Sequence, residues 1–397
     1  MDSNGEYSLR DPSEVERIKK IYFDACEEFD ATQLDQFIET IEGTSQTGSA
    51  LILRGNLKIF LRHKLNDNDF HAMFVALQTD YTCVKIIDLS YSSLSADVCV
   101  SIGKALVKNK SIKQLILAMC DIDLDGCYAI SKGLEYNICL EKLILNGNNF
   151  GPEGCAAIAN VLQINDSLKS IDIASTDQTS QSLIPLCTVL TMNASIQEVD
   201  VSRTVPYNDD KTLTDHFSKM LTINITLVKL KLSKCEISDN GACSLAYYLR
   251  NNTSLKAIDL SSNKISSDGA KAFADLLNQN NTLEALSLCS NRIGDIGMIA
   301  ISEVLACRNV GLKKLWVTNN SITDSGLCPL AAALHNNKSL THLYIWGNEI
   351  HEGACNAFQL LCSGDCPRLS PDNVDIKPYV VDGVNYLAET GQFTWSH

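Results

Sequence analysis

The chain has 397 residues, and its 45% hydrophobic content allows a sizeable core and excludes a disordered protein. Its 33 Lys and Arg against 47 Asp and Glu give a net charge of −14, which weighs against nucleic acid and anionic membranes as partners. No apolar run approaches the roughly 18 residues of a membrane span.

The N-terminal segment is polar and acidic, and it resembles neither a secretory signal nor a transit peptide. Sixteen cysteines without a signal indicate a cytoplasmic protein with free thiols. Apolar residues at helical spacing follow between Val15 and Ile41. Residues 1–47 are therefore predicted to form an N-terminal helical cap.

A repeat of 28 residues fills the chain from 48 to 361. An irregular first copy carries Leu51, Leu53 and Asn56, with about eight residues inserted after its turn. Each later copy repeats its first apolar residue three and five places on and has Ser, Cys, Asn or Thr eight places on. These copies begin at Val84, Ile112, Leu140, Leu168, Ile196, Leu227, Leu255, Leu283, Leu312 and Leu340.

This spacing fits the pattern L-x-x-L-x-L-x-x-N/C-x-L, in which a short strand buries its leucines and the polar residue bonds to the turn that follows. Glycines recur about fourteen places into the repeats, and each is expected to open an amphipathic helix. The predicted fold is an α/β leucine-rich repeat solenoid, a horseshoe with a parallel sheet on its concave face and helices on its convex face. The glycines are Gly126, Gly154, Gly241, Gly269, Gly297 and Gly326.

The repeat pattern stops after residue 361. The segment 378–388, PYVVDGVNYLA, predicts a β-hairpin that turns at Asp382-Gly383. Because an open solenoid end exposes its core, residues 362–397 are predicted to be a C-terminal cap.

The chain contains none of the motifs expected of an enzyme, such as a phosphate loop, a dinucleotide fingerprint, a zinc-protease helix or a nucleophile elbow. The run Asp121-Ile-Asp123-Leu-Asp125 opens like a calcium loop, but Lys132 stands where a bidentate Glu is needed. We therefore predict no catalytic, metal or cofactor site and no small-molecule substrate. Five N-x-S/T sequons lie between helix and strand and indicate helix-ending turns rather than glycosylation: Asn165, Asn193, Asn224, Asn252 and Asn337.

Side chains two, four and six places into a repeat point away from the core, and two groups of them are apolar enough to bind a partner. The first group contains two of the three tryptophans: Lys314, Trp316, His342, Tyr344 and Trp346. The second group is Ile86, Ile116 and Ile144, with Tyr91 next to these positions. The rings of the first group bind a partner unless the C-terminal tail folds over them, in which case the second group becomes the expected site.

The repeats resemble the ribonuclease-inhibitor-like leucine-rich repeat family. The segments 342–350 (HLYIWGNEI) and 375–389 (DIKPYVVDGVNYLAE) resemble one branch of it, and the likeness covers residues 48–389. The three-residue expansion within 199–211 also fits that branch. The resemblance implies a non-enzymatic cytoplasmic protein associated with cilia and germ cells, with a nucleolar association as the alternative.

These observations favour a protein–protein interaction scaffold, one subunit of a large assembly such as the ciliary axoneme. A GTPase activator of the Ran-activator type is a second possibility, although such activators end in a long acidic tail and this chain ends in GQFTWSH. An innate-immune sensor would need a phosphate loop before the repeats, and a ribonuclease inhibitor would favour a strongly basic ligand. The expected partners are other proteins, with no nucleic acid and no membrane.

Overall fold

The computed structural model describes residues 12–56, 64–79, 83–205, 211–363 and 370–391. The chain divides into two compact units, Met1–Gln178 and Thr179–His397. Most of the insertion predicted after the first turn, residues 206–210 of the 199–211 segment and the final six residues lie outside the described residues.

The first unit begins with two helices and continues as strands and helices in alternation. The helices are α1 Pro12–Phe29, α2 Asp35–Glu42, α3 Asp67–Ala76, α4 Ala96–Lys108, α5 Leu124–Tyr136 and α6 Gly151–Leu162. The strands are β1 Ala50–Ile52, β2 Ile86–Asp88, β3 Gln114–Ile116, β4 Lys142–Ile144 and β5 Ser170–Asp172. They form a parallel sheet in chain order, with Ile86 beside Gln114 and Ile116 beside Ile144.

The second unit continues the alternation and ends in a hairpin. Its helices are α7 Ile184–Met192, α8 Lys211–Ile223, α9 Asp239–Leu249, α10 Ser267–Gln279, α11 Gly294–Cys307, α12 Asp324–Asn336 and α13 Glu352–Ser363. Its parallel strands are β6 Glu198–Asp200, β7 Lys229–Lys231, β8 Ala257–Asp259, β9 Ala285–Ser287, β10 Lys314–Trp316 and β11 His342–Tyr344. The hairpin strands are β12 Ile376–Val381 and β13 Val384–Glu389.

The core consists of the repeating apolar positions, as the sequence predicted. Leu255, Ile258 and Leu260 of one repeat are no more than 2% exposed, and Phe273 of its helix is fully buried. Successive side chains of a strand point to opposite faces, so the residues between these apolar positions face away from the helices. Asp259 at one such position is nevertheless buried. The predicted repeat solenoid with a parallel sheet and flanking helices is confirmed.

The polar residue eight places into each repeat forms the predicted ladder. The carboxamide oxygen of Asn263 accepts hydrogen bonds from the backbone N–H groups of Cys235 and Ile237, at 3.0 and 3.1 Å. Its Nδ2 donates to the carbonyls of Leu232 and Leu260, both at 2.9 Å. At the same position, the Cys235 thiol donates to the carbonyls of Val201 and Ser233, at 3.8 and 3.4 Å. Asparagine therefore joins two repeats through four backbone groups, whereas a thiol is only a weak donor and a weak acceptor.

The residue before each ladder position has a left-handed backbone, which the sequence did not reveal. Tyr91 has a φ of 64° and Met119 a φ of 55°, and Lys234 has a φ of 57°. Such values are uncommon for residues other than glycine. The turn requires them because the chain must leave the strand sharply enough to direct the next side chain inward.

A second ladder of asparagines lies at the ends of the helices. Asn252 accepts hydrogen bonds from the backbone N–H groups of Ser254 and Leu255 and donates to the carbonyl of Leu221 in the preceding repeat. It is 6% exposed. The sequons were thus correctly interpreted as helix-ending turns, because their amides are engaged in backbone bonds. The equivalent asparagines with the same pattern are Asn137, Asn165, Asn224, Asn280, Asn309 and Asn337.

The recurrent glycines lie inside the first helical turn instead of opening the helix, so this detail of the prediction was wrong. Gly269 and Gly326 are each the third residue of their helix. An aspartate of the preceding helix caps this turn: Asp239 accepts from the N–H of Gly269, at 2.9 Å. A Cβ atom on Gly269 would lie 2.8 Å from that carboxylate oxygen. The glycine therefore makes room for a cap that joins two repeats.

Candidate protein-binding surfaces

The C-terminal aromatic residues lie side by side, as their equal repeat positions predicted. Trp316 on β10 pairs with Tyr344 on β11, and Lys314 pairs with His342. The Trp316 and Tyr344 rings stack with centroids 5.0 Å apart and planes 17° apart. The prediction of one continuous aromatic cluster is confirmed for these two rings.

The expectation that these rings face solvent was wrong. Trp316 and Tyr344 are each only 5% exposed, whereas Trp346, Lys314 and His342 are partly exposed. Burial raises the pKa of the Tyr344 phenol, and the carboxylate of Asp375 adds to this rise. The C-terminal segment thus lies close to the rings, as the alternative from the sequence proposed.

Asp375 occupies the place of the strand that would follow β11. Within the array, N–H groups of one strand donate to carbonyls of the next, as Val317 does to Tyr344. At the last strand, the N–H groups of Ile345 and Trp346 donate to the two carboxylate oxygens of Asp375 instead, at 2.9 and 2.8 Å. Val374 forms a parallel bridge with Leu343. The segment 374–375 thus satisfies an edge that would otherwise expose unpaired backbone groups.

Around His342 the surface offers little charge. Burial and the nearby Lys314 ammonium lower the pKa of His342, so its imidazole is neutral at pH 7. Its Nδ1 lies 2.8 Å from the hydroxyl of Thr341. The partly exposed residues of this group are therefore Trp346, the neutral His342 and one cation, Lys314, which pairs with His342 across the two strands.

The second predicted group lies on the sheet face of the first unit and is accessible. Ile116 and Ile144 are neighbours on β3 and β4, and Ile86 lies on β2. All three isoleucines are partly exposed. Tyr91 is 51% exposed, and Met119, at the same repeat position one repeat later, is 50% exposed. We call these five residues the isoleucine patch.

One edge of the isoleucine patch is polar and firmly held. The Arg54 guanidinium contacts the buried carboxylate of Asp88, with Nη2 2.6 Å from Oδ2. This ion pair raises the pKa of Arg54 further above its usual value. Asp88 stands next to Ile116 across the sheet. The patch therefore has an apolar centre and a fixed ion pair at one side.

A polar network on the sheet face of the second unit was not predicted. The Ser261 hydroxyl donates to the carboxylate of Asp259 at 2.5 Å and lies 2.6 Å from the Ser287 hydroxyl. Asp259 is 6% exposed, and burial raises the pKa of its carboxyl. These residues stand at the outward strand positions, so the sequence placed them on the face. Nothing in the repeat pattern shows that they bond to one another.

The cysteines in the described residues are free thiols. Burial raises the pKa of Cys99, Cys120, Cys127 and Cys155 to about 12 and that of Cys235 to about 11. These thiols stay protonated at neutral pH and are poor nucleophiles. Among the described residues, no group of three or more His, Cys, Asp or Glu is placed to hold a metal ion. Within the same ranges every helix is too short or too polar to cross a membrane.

Comparison with known proteins agrees with the repeat architecture. The family model described as Leucine Rich repeat matches residues 108–131, 136–159, 224–246, 251–274 and 279–302. The chain carries leucine-rich repeats. Its sequence is 46% identical over 196 residues to Leucine-rich repeat-containing protein 34 of Homo sapiens, which covers 49% of this chain and 42% of that protein. The protein of the same name from Mus musculus is 42% identical over 189 residues, covering 47% of this chain and 45% of that protein.

These matches confirm the resemblance that the repeats and the C-terminal segments predicted, and they span less than half the length of the relatives. Among solved structures, the yeast Rad7 and Elc1 complex is similar at 17% identity and a TM-score of 0.45, covering 85% of this chain and 92% of that one. An internalin from Listeria monocytogenes is similar at 14% identity and a TM-score of 0.41, and the match covers 90% of this chain and 96% of the internalin chain. Likeness at this level carries no functional information.

Proposed function

We propose that this protein is a non-enzymatic scaffold that binds another protein through the isoleucine patch. The observation that carries the proposal is the exposure of Tyr91 and Met119 beside Ile116 and Ile144 on a rigid sheet. Apolar and aromatic side chains that are exposed together on an ordered surface are the usual centre of a protein interface. The aromatic pair Trp316 and Tyr344 is buried and contributes less accessible surface.

The ladders support this proposal because they make the patch rigid before a partner arrives. Asn148 bonds to the backbone N–H groups of Cys120 and Ile122, directly after Met119. A preformed surface loses little conformational entropy on binding. Partly exposed Trp346, together with the neighbouring pair Lys314 and His342, remains a second proposed contact, in the second unit.

The finer proposal is a subunit of a large assembly such as the ciliary axoneme, with a location in the cytoplasm and cilium. It is supported by the resemblance to one branch of the repeat family. A nucleolar binding protein and a GTPase activator of the Ran-activator type are the alternatives. Proximity labelling in ciliated cells, analysed by mass spectrometry, distinguishes the locations, and acceleration of GTP hydrolysis by Ran in vitro would identify the activator.

The patch is tested by a double variant, Tyr91→Asn with Met119→Asn. Asparagine tolerates the left-handed backbone at both positions, so the variant removes apolar surface without straining the turn. We expect most labelled partners of the wild-type chain to be lost. Lys234→Asn is the matched control, because Lys234 occupies the same left-handed position in a later repeat. Retention of the same partners by the double variant would exclude the isoleucine patch.

A further inference from the structure

A second surface lies on the edge of the second unit where the strands begin. Met192 is 82% exposed, Ile223 is 58% exposed and Ile225 is 78% exposed. They flank Asn193 and Asn224, two members of the helix-end asparagine series in consecutive repeats. Single exposed apolar residues are ordinary on protein surfaces, but a contiguous group marks an interaction site.

The backbone bonds of this series place the three side chains on adjoining turns. Asn224 Nδ2 donates to the carbonyl of Asn193 at 3.4 Å, and the Thr226 hydroxyl donates to the same carbonyl at 3.2 Å. The turn of Ile223 and Ile225 is therefore directly beside the turn of Met192. The next turn joins in the same way, since Asn252 Nδ2 donates to the carbonyl of Asn224 at 3.3 Å.

Charge along this edge is one-sided. The two turns at 191–197 and 222–228 contain no charged residue, and Arg250 and Lys256 stand on the third. Further along, Arg308, Lys313 and Lys338 are basic and Glu284 is the single acid on these turns. Glu284 is already shared by two lysines, with Lys256 Nζ at 3.4 Å and Lys313 Nζ at 2.6 Å. A basic row thus continues from the apolar group, in a chain with a net charge of −14.

Arg250 is a partly exposed cation on the third turn. Its guanidinium carbon lies 5.3 Å from the centre of the Tyr247 ring, which holds the side chain against the helix end. Its Nε is buried and has no hydrogen-bond partner among the described residues, so a carboxylate would have to meet the exposed part of the guanidinium.

We propose that this edge, defined by Met192, Ile223, Ile225, Arg250 and Lys256, binds an acidic amphipathic segment of a protein partner. The apolar side of the segment covers the first three residues, and its carboxylates meet Arg250 and Lys256. Cations outnumber acids along this row, and Glu284 is already shared by Lys256 and Lys313, so charge complementarity selects an acidic segment. This surface is separate from the isoleucine patch.

The test uses the full chain and a synthetic helical peptide with leucines on one face and glutamates on the other. Fluorescence anisotropy measures its binding, and the same peptide with lysines in place of the glutamates is the charge control. We expect the acidic peptide to bind and the lysine peptide not to bind. Met192→Ser with Ile225→Ser should weaken binding at least about tenfold, since burying one such side chain is worth that much. Arg250→Glu with Lys256→Glu should weaken it similarly.

Ile138→Ser is the matched control, because Ile138 follows Asn137 as Ile225 follows Asn224 and is 69% exposed. Its turn differs in charge, since the acids Glu135 and Glu141 are near it in the sequence. It should leave binding unchanged. The proposal is overturned if both peptides bind equally, if neither binds, or if Ile138→Ser weakens binding as much as the paired variant. Self-association of the free chain that Ile225→Ser abolishes would also overturn it, by showing a second copy as the occupant. Retained peptide binding by the Tyr91→Asn, Met119→Asn variant separates this edge from the proposed function.

Discussion

Replacing Asn291 by alanine should be costly, because this side chain joins two repeats. Its Oδ1 accepts a hydrogen bond from the backbone N–H of Ile265 at 3.1 Å. Its Nδ2 donates to the carbonyls of Leu260 and Leu288, at 2.9 and 3.0 Å. Leaving one buried backbone group without a partner costs about 1–3 kcal/mol, and neighbouring losses add incompletely. We expect Asn291→Ala to lower the free energy of unfolding by about 3–5 kcal/mol.

A graded series makes this prediction specific to the ladder. Asn291→Cys introduces a thiol, which at Cys120 and Cys235 donates to backbone carbonyls but is a weaker donor and acceptor than a carboxamide. It should therefore be destabilised by less than the alanine variant. Asn251→Ala, on an exposed asparagine, is the control and should change stability little. Equilibrium urea denaturation measures all three, and an alanine variant as stable as wild type would refute the ladder's role.

Three further predictions follow from close packing, buried charge and thiol burial. Gly133→Ala should destabilise the protein by about 1–3 kcal/mol although alanine favours helices, because the added Cβ would lie 2.5 Å from the Gly103 carbonyl oxygen. Thermal unfolding measures this loss, with Lys132→Ala at an exposed position of the same helix as the control. The folded-state pKa of Asp259 is raised by burial, so its ionisation opposes folding above that pKa, and the penalty disappears as the pH falls to its unfolded pKa. Asp259→Asn, which keeps an acceptor for Ser261, should therefore stabilise the protein more at pH 7 than at pH 4, and an equal gain at both pH values would contradict the buried charge. Alkylation under native and denaturing non-reducing conditions should show thiols that react only after unfolding, and thiols that react in neither case would indicate disulfides.

The sequence predicted the repeat fold because the residues that form the strand, the turn and the helix recur at the same places in each repeat. Leu255, Ile258 and Leu260 were assigned to the core by spacing alone, and all are buried. The left-handed residues before the ladder could not be predicted from their identities, since tyrosine, methionine and lysine occupy them. The turn imposes this conformation. The ladder side chain of the next repeat stabilises the turn by accepting hydrogen bonds from its backbone N–H groups, as Asn148 does after Met119.

The candidate site was harder to predict, because side-chain direction does not determine exposure. Trp316 and Tyr344 do point away from the leucine core, as strand alternation requires. They are nevertheless buried, and the segment near them carries no repeat signature from which its path could be inferred. Asp375 accepts two backbone hydrogen bonds from the last strand, from residues 29 and 30 places before it in the chain. The repeat pattern does not predict this contact.

The last strand of the second unit and the inner strands of the first unit meet different physical requirements, and this difference shapes the proposed surfaces. At the last strand, unpaired N–H groups must find acceptors, and the Asp375 carboxylate provides two of them at once. The same segment lies close enough to Tyr344 for the Asp375 carboxylate to raise the pKa of its phenol. No such demand acts on the middle of the first unit's sheet, where every strand already has neighbours on both sides from β2 to β4. Tyr91 and Met119, in the turns after β2 and β3, are exposed without completing a sheet edge, and this is why we propose them as the centre of a surface for a partner.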